Sequence, residues 1–327
     1  MKNLIKDISD KMKAYSSWAV LCHEKPDGDT LGCTLALYSL AKRLGKKVIA
    51  GGKDNVPERY LFLPYAEDYR LLNAEDVPSD ALLVIVDTST KDRSVNGIEM
   101  LLTSHDSVAF DHHRDNEMFA GVNCINPEAS AAAEIITEFM DAEFDISRDE
   151  AMCLYTALVT DNGNFRFSSV TQESHKAAEI LLKAGALPNV IDDCLNECMS
   201  VGALRLWGRA MEKTEVFADG RAAIFCLRSE DFKACESDRS VTESLVNQIL
   251  RIVGVKIALF VSEFNGSIKL SVRTKEPYIA REIAAFYGGG GHNQAAGAKL
   301  PGDFDIAVAE LKKTVLKYAE IRISDNK

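Results

Sequence analysis

Continuous apolar runs in the first half of the chain alternate with segments of helical periodicity. The apolar runs are WAVLCH (18–23), KKVIAGG (46–52), ALLVIVD (81–87) and SVAFDHH (107–113). Runs that are apolar at nearly every position predict strands buried on both faces, as in a parallel sheet. A helical segment over residues 28–45, closed by Gly45, separates the first two runs. This alternation predicts an α/β domain built on a doubly wound parallel sheet.

The remainder of the chain predicts further helices and then a change of architecture. Apolar residues recur at helical spacing in four segments: 1–17, 130–144, 147–161 and 171–185. In the last third, two β-hairpins are predicted to turn at Asp219-Gly220 and at Asn265-Gly266. Helices are predicted over 241–253 and 304–321. This mixture of hairpins and helices indicates a smaller α+β domain.

The length of 327 residues fits two domains. We expect a catalytic domain over residues 1–187, a helical linker over 188–208 and a C-terminal substrate-binding domain over 209–327. The hydrophobic fraction of 46% and the charged fraction of 27% are those of an ordinary soluble globular protein. No apolar run approaches the roughly 18 residues of a membrane span, and residues 1–17 lack the apolar stretch of a signal peptide. We therefore expect a cytoplasmic protein without membrane contact, whose eight cysteines are reduced.

The charge of the chain limits its partners. The formal net charge is −11, and no Lys/Arg-rich tract is present. Proteins that track long DNA or RNA gain most of their affinity from a basic surface. The sequence therefore predicts no track for long nucleic acid. An anionic substrate should be short and held by a few local cations and metals.

Candidate metal ligands occur in four clusters, and three of these clusters directly follow a predicted strand. These residues are His23, Asp27 and Asp29, then Asp87, then the triplet Asp111-His112-His113, and finally Asp161 in LVTDNGNFRF. The carboxyl ends of parallel strands meet at one edge of a sheet, where ligands bind. Each cluster alone has an ordinary explanation, such as a turn or a helix N-cap. Their conjunction favours a site for two divalent cations, since carboxylates and imidazoles are suitable ligands.

A site with two metals needs no Ser or Cys nucleophile. Two-metal sites hold their ions ~3.5–4 Å apart, activate a hydroxide and clamp both oxygens of an in-line displacement at phosphorus. Phosphoryl transfer requires mainly positioning and charge neutralisation from the protein. The sequence therefore predicts a metal-dependent phosphoesterase.

A glycine run in the C-terminal domain predicts an anion site. Gly288 to Gly291 precede His292 and a short AA-G stretch that we interpret as helical. Such a run resembles a nest of backbone amides for an anion. Arg273, at the end of the preceding strand, is expected to add a bidentate contact. The alternative is a flexible connector.

Together these motifs resemble the DHH phosphoesterase family, which is named for the triplet found here at Asp111-His112-His113. The HEKPDGD segment resembles the first motif of the family, Asp87 the second and TDNGNFRF the fourth, and GGGGH resembles the signature of the DHH-associated C-terminal domain. One departure is Asn162, where Thr is common. Within the family, the pattern is nearest to the two-domain oligoribonuclease/pAp phosphatase group, the nanoRNases.

The resemblance implies a role for each residue. His23, Asp27 and Asp87 would hold one metal, and Asp29, Asp87, His112 and Asp161 the other. The catalytic residues would be Asp111, which orients its neighbours, and His113, which contacts the scissile phosphate. Arg273, Gly290, Gly291 and His292 would bind substrate, with the active site in the cleft between the domains. The two ions would be Mn²⁺, with Mg²⁺, Co²⁺ and Fe²⁺ as alternatives.

The resemblance also implies an activity. We expect hydrolysis of very short oligoribonucleotides or linear dinucleotides to mononucleotides, with phosphatase activity on 3′-phosphoadenosine 5′-phosphate (pAp). One alternative is a phosphodiesterase for cyclic or linear dinucleotide second messengers. Another is a non-catalytic nucleotide-binding regulator, although such a protein should have lost metal ligands. A homodimer is also considered. The sequence leaves open the preferred substrate and the direction of degradation.

Overall fold

The structure, a computed structural model, describes residues 2–196, 200–237, 242, 245–264 and 266–324. The chain forms two compact units, residues 1–198 and 199–327. The division between them falls inside the segment 188–208 that we interpret as a linker. The domain limits at residues 187 and 209 stay a prediction.

The sheet of the first unit is parallel throughout. Its strands are β1 (Ser17–Leu21), β2 (Lys47–Gly52), β3 (Arg70–Leu71), β4 (Ala81–Val86), β5 (Ser107–Asp111) and β6 (Val122–Ile125). They lie in the order β3-β2-β1-β4-β5-β6, which confirms the doubly wound topology. Chain order reverses between β1 and β4, where Leu21 pairs with Ile85. His23 and Asp87, each two residues further on, therefore emerge side by side.

Helices cover both faces of this sheet. They are α1 (Lys2–Ala14), α2 (Gly28–Arg43), α3 (Ile98–Ser104), α4 (Ala132–Glu143), α5 (Arg148–Asp161), α6 (Gln172–Lys183) and α7 (Pro188–Asn196). Trp18 and Val20 pack into one apolar core, whereas Ala19 and Leu21 pack into the core on the opposite face. Burial on both faces explains why β1 reads as a continuous apolar run.

Two glycines allow α2 to approach α5 closely. A Cβ on Gly32 would lie 2.3 Å from the carbonyl oxygen of Cys153, and one on Gly28 would lie 2.2 Å from Oγ1 of Thr160. Neither position tolerates a side chain without movement of the partner helix. This close packing brings the first turn of α2 beside the last turn of α5.

The second unit is an α+β domain, as predicted. Its elements are α8 (Val201–Glu212), β7 (Glu215–Phe217), β8 (Ala222–Leu227), α9 (Ser229–Ala234), α10 (Leu245–Ile249), β9 (Ile257–Phe264), β10 (Ser267–Thr274), α11 (Ala280–Ala285), β11 (Gly290–Gly291), β12 (Ala295–Leu300) and α12 (Phe304–Ser324). The strands form one mixed sheet in the order β11-β12-β10-β9-β8-β7. Pairing is antiparallel except between β8 and β9. Both hairpins, β7–β8 and β9–β10, are confirmed, although Asn265 lies outside the described residues.

Two local predictions differ from the structure. The AA-G stretch after the glycine run is not helical; it forms β12, which pairs with β10. Alanine favours helices, but antiparallel pairing with β10 overrides that preference. Of the helix predicted over 241–253, the described part contains only the short α10. None of the helices in the described ranges combines the length and apolarity needed to cross a membrane.

Candidate metal centre

The six predicted metal ligands converge at the carboxyl edge of the parallel sheet, together with His113. Three groups of side chains have ligand atoms within 4.8 Å of one another: His23, Asp27 and Asp87; Asp29, His112 and Asp161; and Asp87, His112 and His113. Asp87 and His112 each belong to two groups. The groups are therefore one connected cluster.

Asp87 occupies the centre of this cluster. It directly follows β4, its φ of 49° lies in the left-handed region, and its amide donates to the carbonyl of Phe110. Such a conformation is strained in a residue other than glycine and recurs at functional sites. Oδ2 accepts a 2.6 Å hydrogen bond from the Thr30 hydroxyl. Oδ1 is buried, has no hydrogen-bond partner among the described residues, and lies 3.6 Å from Nε2 of His112 and 3.6 Å from Nδ1 of His113.

The first group forms around the start of α2. The buried His23 donates from Nδ1 to the carbonyl oxygen of Glu24 at 2.6 Å, so Nε2 faces Asp87 Oδ2 at 3.4 Å. Burial alone would lower the pKa of His23, but its contact with the Asp87 carboxylate raises it. Asp27 is the N-cap of α2 and accepts a hydrogen bond from the Thr30 amide. The ordinary explanation of Asp27, a helix cap, is therefore correct without excluding a second role.

The second group forms around His112. Its Nδ1 donates to the carbonyl of Ala129 at 3.2 Å, and its Nε2 lies 3.9 Å from Asp29 Oδ2 and 3.4 Å from Asp161 Oδ2. Asp29 is almost fully buried, and its two oxygens accept the backbone amides of Ala132 and Ala133 at 2.6 and 3.0 Å. These amides belong to the first turn of α4, whose dipole favours an anion.

Burial of several carboxylates together raises their affinity for protons. Burial, with the charges of Asp87 and Asp161, raises the pKa of Asp29 well above its ordinary value. Burial also raises the pKa of Asp161 to about 6, with His112 opposing and Asp87 adding to the rise. Bound cations would offset the repulsion between these buried, negatively charged carboxylates.

Asp111 holds the two histidines of the triplet in place. Its carboxylate is fully buried, and Oδ1 accepts the His113 Nδ1 proton at 2.7 Å and the His112 amide at 2.8 Å. Asn116 donates to Oδ2 at 2.5 Å. Burial opposes ionisation of Asp111, but the hydrogen bonds from His113 and Asn116 hold its pKa below the usual value. The hydrogen bond to Asp111 in turn raises the pKa of His113 to about 9. This imidazole is thus suited to contact an anionic group.

The donor set fits divalent cations. It combines imidazole nitrogens and carboxylate oxygens, and it includes an unpaired buried oxygen on Asp87, which is costly without a cation or donor beside it. Thr30 and Asn116 are polar partners that the sequence analysis missed. Thr30 carried a weak signal, since it stands three residues after a helix N-cap. Asn116 carried none.

The predicted substrate-binding residues lie at one end of the mixed sheet. Arg273 pairs with Ala295 across β10 and β12, and its Nη1 donates to the Val272 carbonyl. The amide of His292 donates to the carbonyl of the same Ala295 at 2.8 Å, and His292 is exposed. Their substrate contacts stay a prediction.

The glycine run is the edge of this sheet. Gly290 pairs with Gly297 and Gly291 with Ala296. A Cβ on Gly289 would lie 2.2 Å from the Gly297 carbonyl oxygen. Close strand pairing therefore requires glycine here. The backbone forms a strand edge and not the predicted nest of amides.

Comparison with known proteins agrees with this architecture. The model of the DHH family N-terminal domain matches residues 17–158, and that of the DHHA1 domain matches residues 233–320. The chain belongs to the DHH family. Its candidate metal centre thus includes the Asp111-His112-His113 triplet for which the DHH family is named.

Relatives and solved structures resemble the chain over most of its length. Thermus thermophilus bifunctional oligoribonuclease and PAP phosphatase NrnA is 30% identical over 90% of this chain and 88% of its own. Listeria monocytogenes cyclic-di-AMP phosphodiesterase PdeA is 26% identical over 91% of this chain but only 46% of its own. The crystal structure of an exopolyphosphatase-related protein from Bacteroides fragilis has 25% identity and a TM-score of 0.79 over 98% of both chains.

Proposed function

We propose that this DHH-family protein is a metal-dependent phosphodiesterase of very short RNA. It would hydrolyse fragments of a few nucleotides, or linear dinucleotides, to mononucleotides, and it would remove a phosphate from pAp. The single observation that carries this proposal is the position of Asp87, whose buried, unpaired Oδ1 faces both His112 and His113. The named activity of the Thermus relative supports the choice of substrate.

Two divalent ions would be held by the two groups of ligands that share the cluster. His23, Asp27 and Asp87 would hold one ion, and Asp29, Asp87, His112 and Asp161 the other, with Asp87 between them. We propose Mn²⁺, because mixed imidazole and carboxylate ligands suit it. When bound, the ions would supply Lewis acidity that neutralises phosphate charge and acidifies water.

His113 is proposed to bind the scissile phosphate. The 2.7 Å hydrogen bond to Asp111 orients the ring and favours its protonated, cationic form, since it raises the pKa of His113. A cation held in this way stabilises negative charge that develops on a phosphoryl oxygen. Asp111 would act by positioning His113 and His112, and Asn116 by positioning Asp111.

The second unit is proposed to bind the far end of the substrate. Arg273, Gly290, Gly291 and His292 would contact a phosphate or base there. The net charge of −11 and the lack of a basic tract restrict the substrate to a few nucleotides. A homodimer and a cytoplasmic location stay predictions, and light scattering of the purified protein tests the first.

One assay tests the proposed function. The purified protein with Mn²⁺ is offered pAp, the dinucleotide pApA, cyclic di-AMP, a 5-mer and a 24-mer RNA. Turnover of pApA, the 5-mer and pAp is expected, and excess chelator should abolish it. Exclusive turnover of cyclic di-AMP would favour the alternative that the Listeria relative suggests. No turnover of any substrate would overturn the proposal.

A further inference from the structure

A pocket of the first unit lies near the metal centre, and none of the residue roles proposed above involves it. Its volume is about 740 Å³, which lies within the roughly 300–1,000 Å³ of ligand-binding pockets. Thr160 and Gly163, which flank the Asp161-Asn162 pair, form part of its wall. Residues of α5, of α7 and of the turn at residues 58–60 also line it. The pocket therefore lies against the chain segment that carries Asp161, a predicted metal ligand.

Tyr60 connects the pocket to the other side of the cluster. This buried side chain lines the pocket, and it lies close enough to the Gly28 backbone and the Asp27 carboxylate for both to affect its ionisation. Burial raises the pKa of Tyr60, Arg59 lowers it, and Asp27 adds to the rise. Thr160, which also lines the pocket, packs against the start of α2, since a Cβ on Gly28 would lie 2.2 Å from its Oγ1.

The loop after Asp161 is strained in a way that shapes the pocket. Gly163, Asn164 and Phe165 have φ values of 63°, 57° and 61°, three consecutive residues in the left-handed region. The buried Asn162 stabilises the turn, because its Oδ1 accepts the Phe165 amide at 2.8 Å. The Phe165 ring stacks on His175 with centroids 4.8 Å apart. Such strain persists where surrounding contacts enforce it, and it clusters at functional sites.

Two arginines line this pocket in a protein of strongly acidic composition. Arg166 donates from Nε to the Gly163 carbonyl at 2.8 Å, and the Arg59 guanidinium lies 4.9 Å from the centre of the Tyr60 ring. Both side chains are exposed, and neither forms an ion pair within the described part of the chain. One carboxylate, Asp192, also lines the pocket. Guanidinium groups bind phosphates in bidentate fashion and stack on nucleobases.

We propose that this pocket is a nucleotide subsite, which holds the nucleotide adjacent to the scissile phosphate. Arg59 and Arg166 contact its phosphate or stack on its base. The amides of Asn164 and Asn189, which also line the pocket, contact the base edge. This inference rests on the proposed function, because the metal centre defines where the scissile phosphate lies.

Kinetics of four arginine variants test the subsite. Arg59→Ala and Arg166→Ala are compared on pApA with Arg70→Ala, an equally exposed arginine of the first unit that does not line the pocket. Loss of a charged hydrogen bond should raise KM by about tenfold or more in the first two variants, with kcat within about twofold. Arg166→Lys should restore little if the contact is planar or bidentate. Thermal melts confirm that each variant is folded.

Binding of AMP provides a second readout that does not need turnover. Calorimetric titration should show AMP binding that weakens by about tenfold in Arg59→Ala and Arg166→Ala but not in Arg70→Ala. Adenosine and inorganic phosphate, titrated separately, should each bind more weakly than AMP. Phosphate binding as tight as AMP binding would reject a nucleotide subsite.

The two readouts separate this inference from the proposed function. If the wild type cleaves pApA and both pocket variants keep its KM, the subsite is rejected and the function stands. If the wild type cleaves none of the substrates, the function is rejected, and AMP binding decides about the pocket. Binding lost only in the pocket variants supports the subsite, whereas absent binding, or binding equal in all variants, rejects it.

Discussion

The hydroxyl of Thr30 donates a 2.6 Å hydrogen bond to Oδ2 of Asp87, 57 residues further along the chain. The same hydroxyl contacts Nε2 of His23, and the Thr30 amide donates to Asp27. Thr30 therefore joins all three members of the first ligand group. Its role depends on the side chain and the backbone together, since the first turn of α2 positions both.

Replacement of Thr30 by valine, which has the same shape without the hydroxyl, should weaken metal binding. Partners of metal ligands typically contribute ~10–100-fold to affinity, and we expect a loss in that range. Competition between the protein and a fluorescent chelator for Mn²⁺ measures it. Thr30→Ser keeps the hydroxyl and should bind like the wild type. Equal affinity of Thr30→Val and the wild type would show that the hydroxyl does not position the ligands.

Asp87→Asn should abolish most activity while the fold survives. The amide can still accept the Thr30 hydrogen bond, but it removes the negative charge between His112 and His113. We expect turnover to fall roughly a hundredfold or more, with weaker metal binding. Stability in chelator should hold or rise, because a charge that repels Asp29 is gone. The control is Asp92→Asn, an exposed acid outside the cluster; near-normal turnover of Asp87→Asn in Mn²⁺ would exclude Asp87 as the shared ligand.

The sequence predicted His23 and Asp87 because strand register places them. An apolar run followed by Asp or His is visible in one dimension, and parallel pairing carries Asp87 beside His23 without further information. The contacts that orient the ligands are not visible in this way. Asp29 accepts amides from α4 that are 103 and 104 residues away. Such pairings follow from tertiary packing alone.

The glycine run is a segment whose secondary structure could not be predicted from the sequence. Glycine and alanine have little side-chain character, so residues 288–298 carried no periodicity that separates a helix from a strand. In the structure these residues form a strand edge. A Cβ added to Gly289 or Gly291 would meet backbone atoms of β12. The sequence analysis inferred anion binding from the glycine composition. Pairing with β12 explains why glycines occupy these positions.

Gly32→Ala should destabilise the first unit, although alanine normally favours helices. The new Cβ would lie 2.3 Å from the Cys153 carbonyl oxygen, which forces α2 and α5 apart. Overpacking of this kind costs ~1–3 kcal/mol, and urea unfolding measures the change. Gly208→Ala on α8 is the matched control, because nothing lies within 4 Å of its Cβ. It should stabilise by ~0.5–1 kcal/mol. Similar effects of both substitutions would contradict the close packing of α2 and α5.

Arg273→Ala should weaken substrate binding without loss of metal. Arg273 belongs to the mixed sheet of the second unit, whereas every predicted metal ligand belongs to the first. We expect KM for pApA to rise by about tenfold or more, as a charged contact to phosphate is lost. Elemental analysis should show unchanged metal content. The control, Arg251→Ala, removes an exposed arginine whose Nη1 donates to Gln248. Loss of metal from Arg273→Ala would contradict the assignment of metal binding to the first unit and substrate binding to the second.

Catalytic efficiency should fall steeply between a 5-mer and a 24-mer RNA. A site that engages a few nucleotides gains nothing from the remainder of a longer strand unless a basic surface holds it. The net charge is −11 and the sequence has no basic tract, so the additional phosphates of the 24-mer meet mostly repulsion. Steady-state kcat/KM for both lengths at moderate salt measures the difference.

Salt dependence distinguishes this explanation from a hidden nucleic-acid track. Binding through many phosphate contacts releases many counterions, and affinity then falls with a slope of about −0.7 per contact for single strands on logarithmic axes. We expect kcat/KM on the 24-mer to decline with salt no more steeply than on the 5-mer, since both engage the same few cations. Equal efficiency on both lengths, combined with a steeper salt slope for the 24-mer, would indicate a processive exonuclease with an extended basic track.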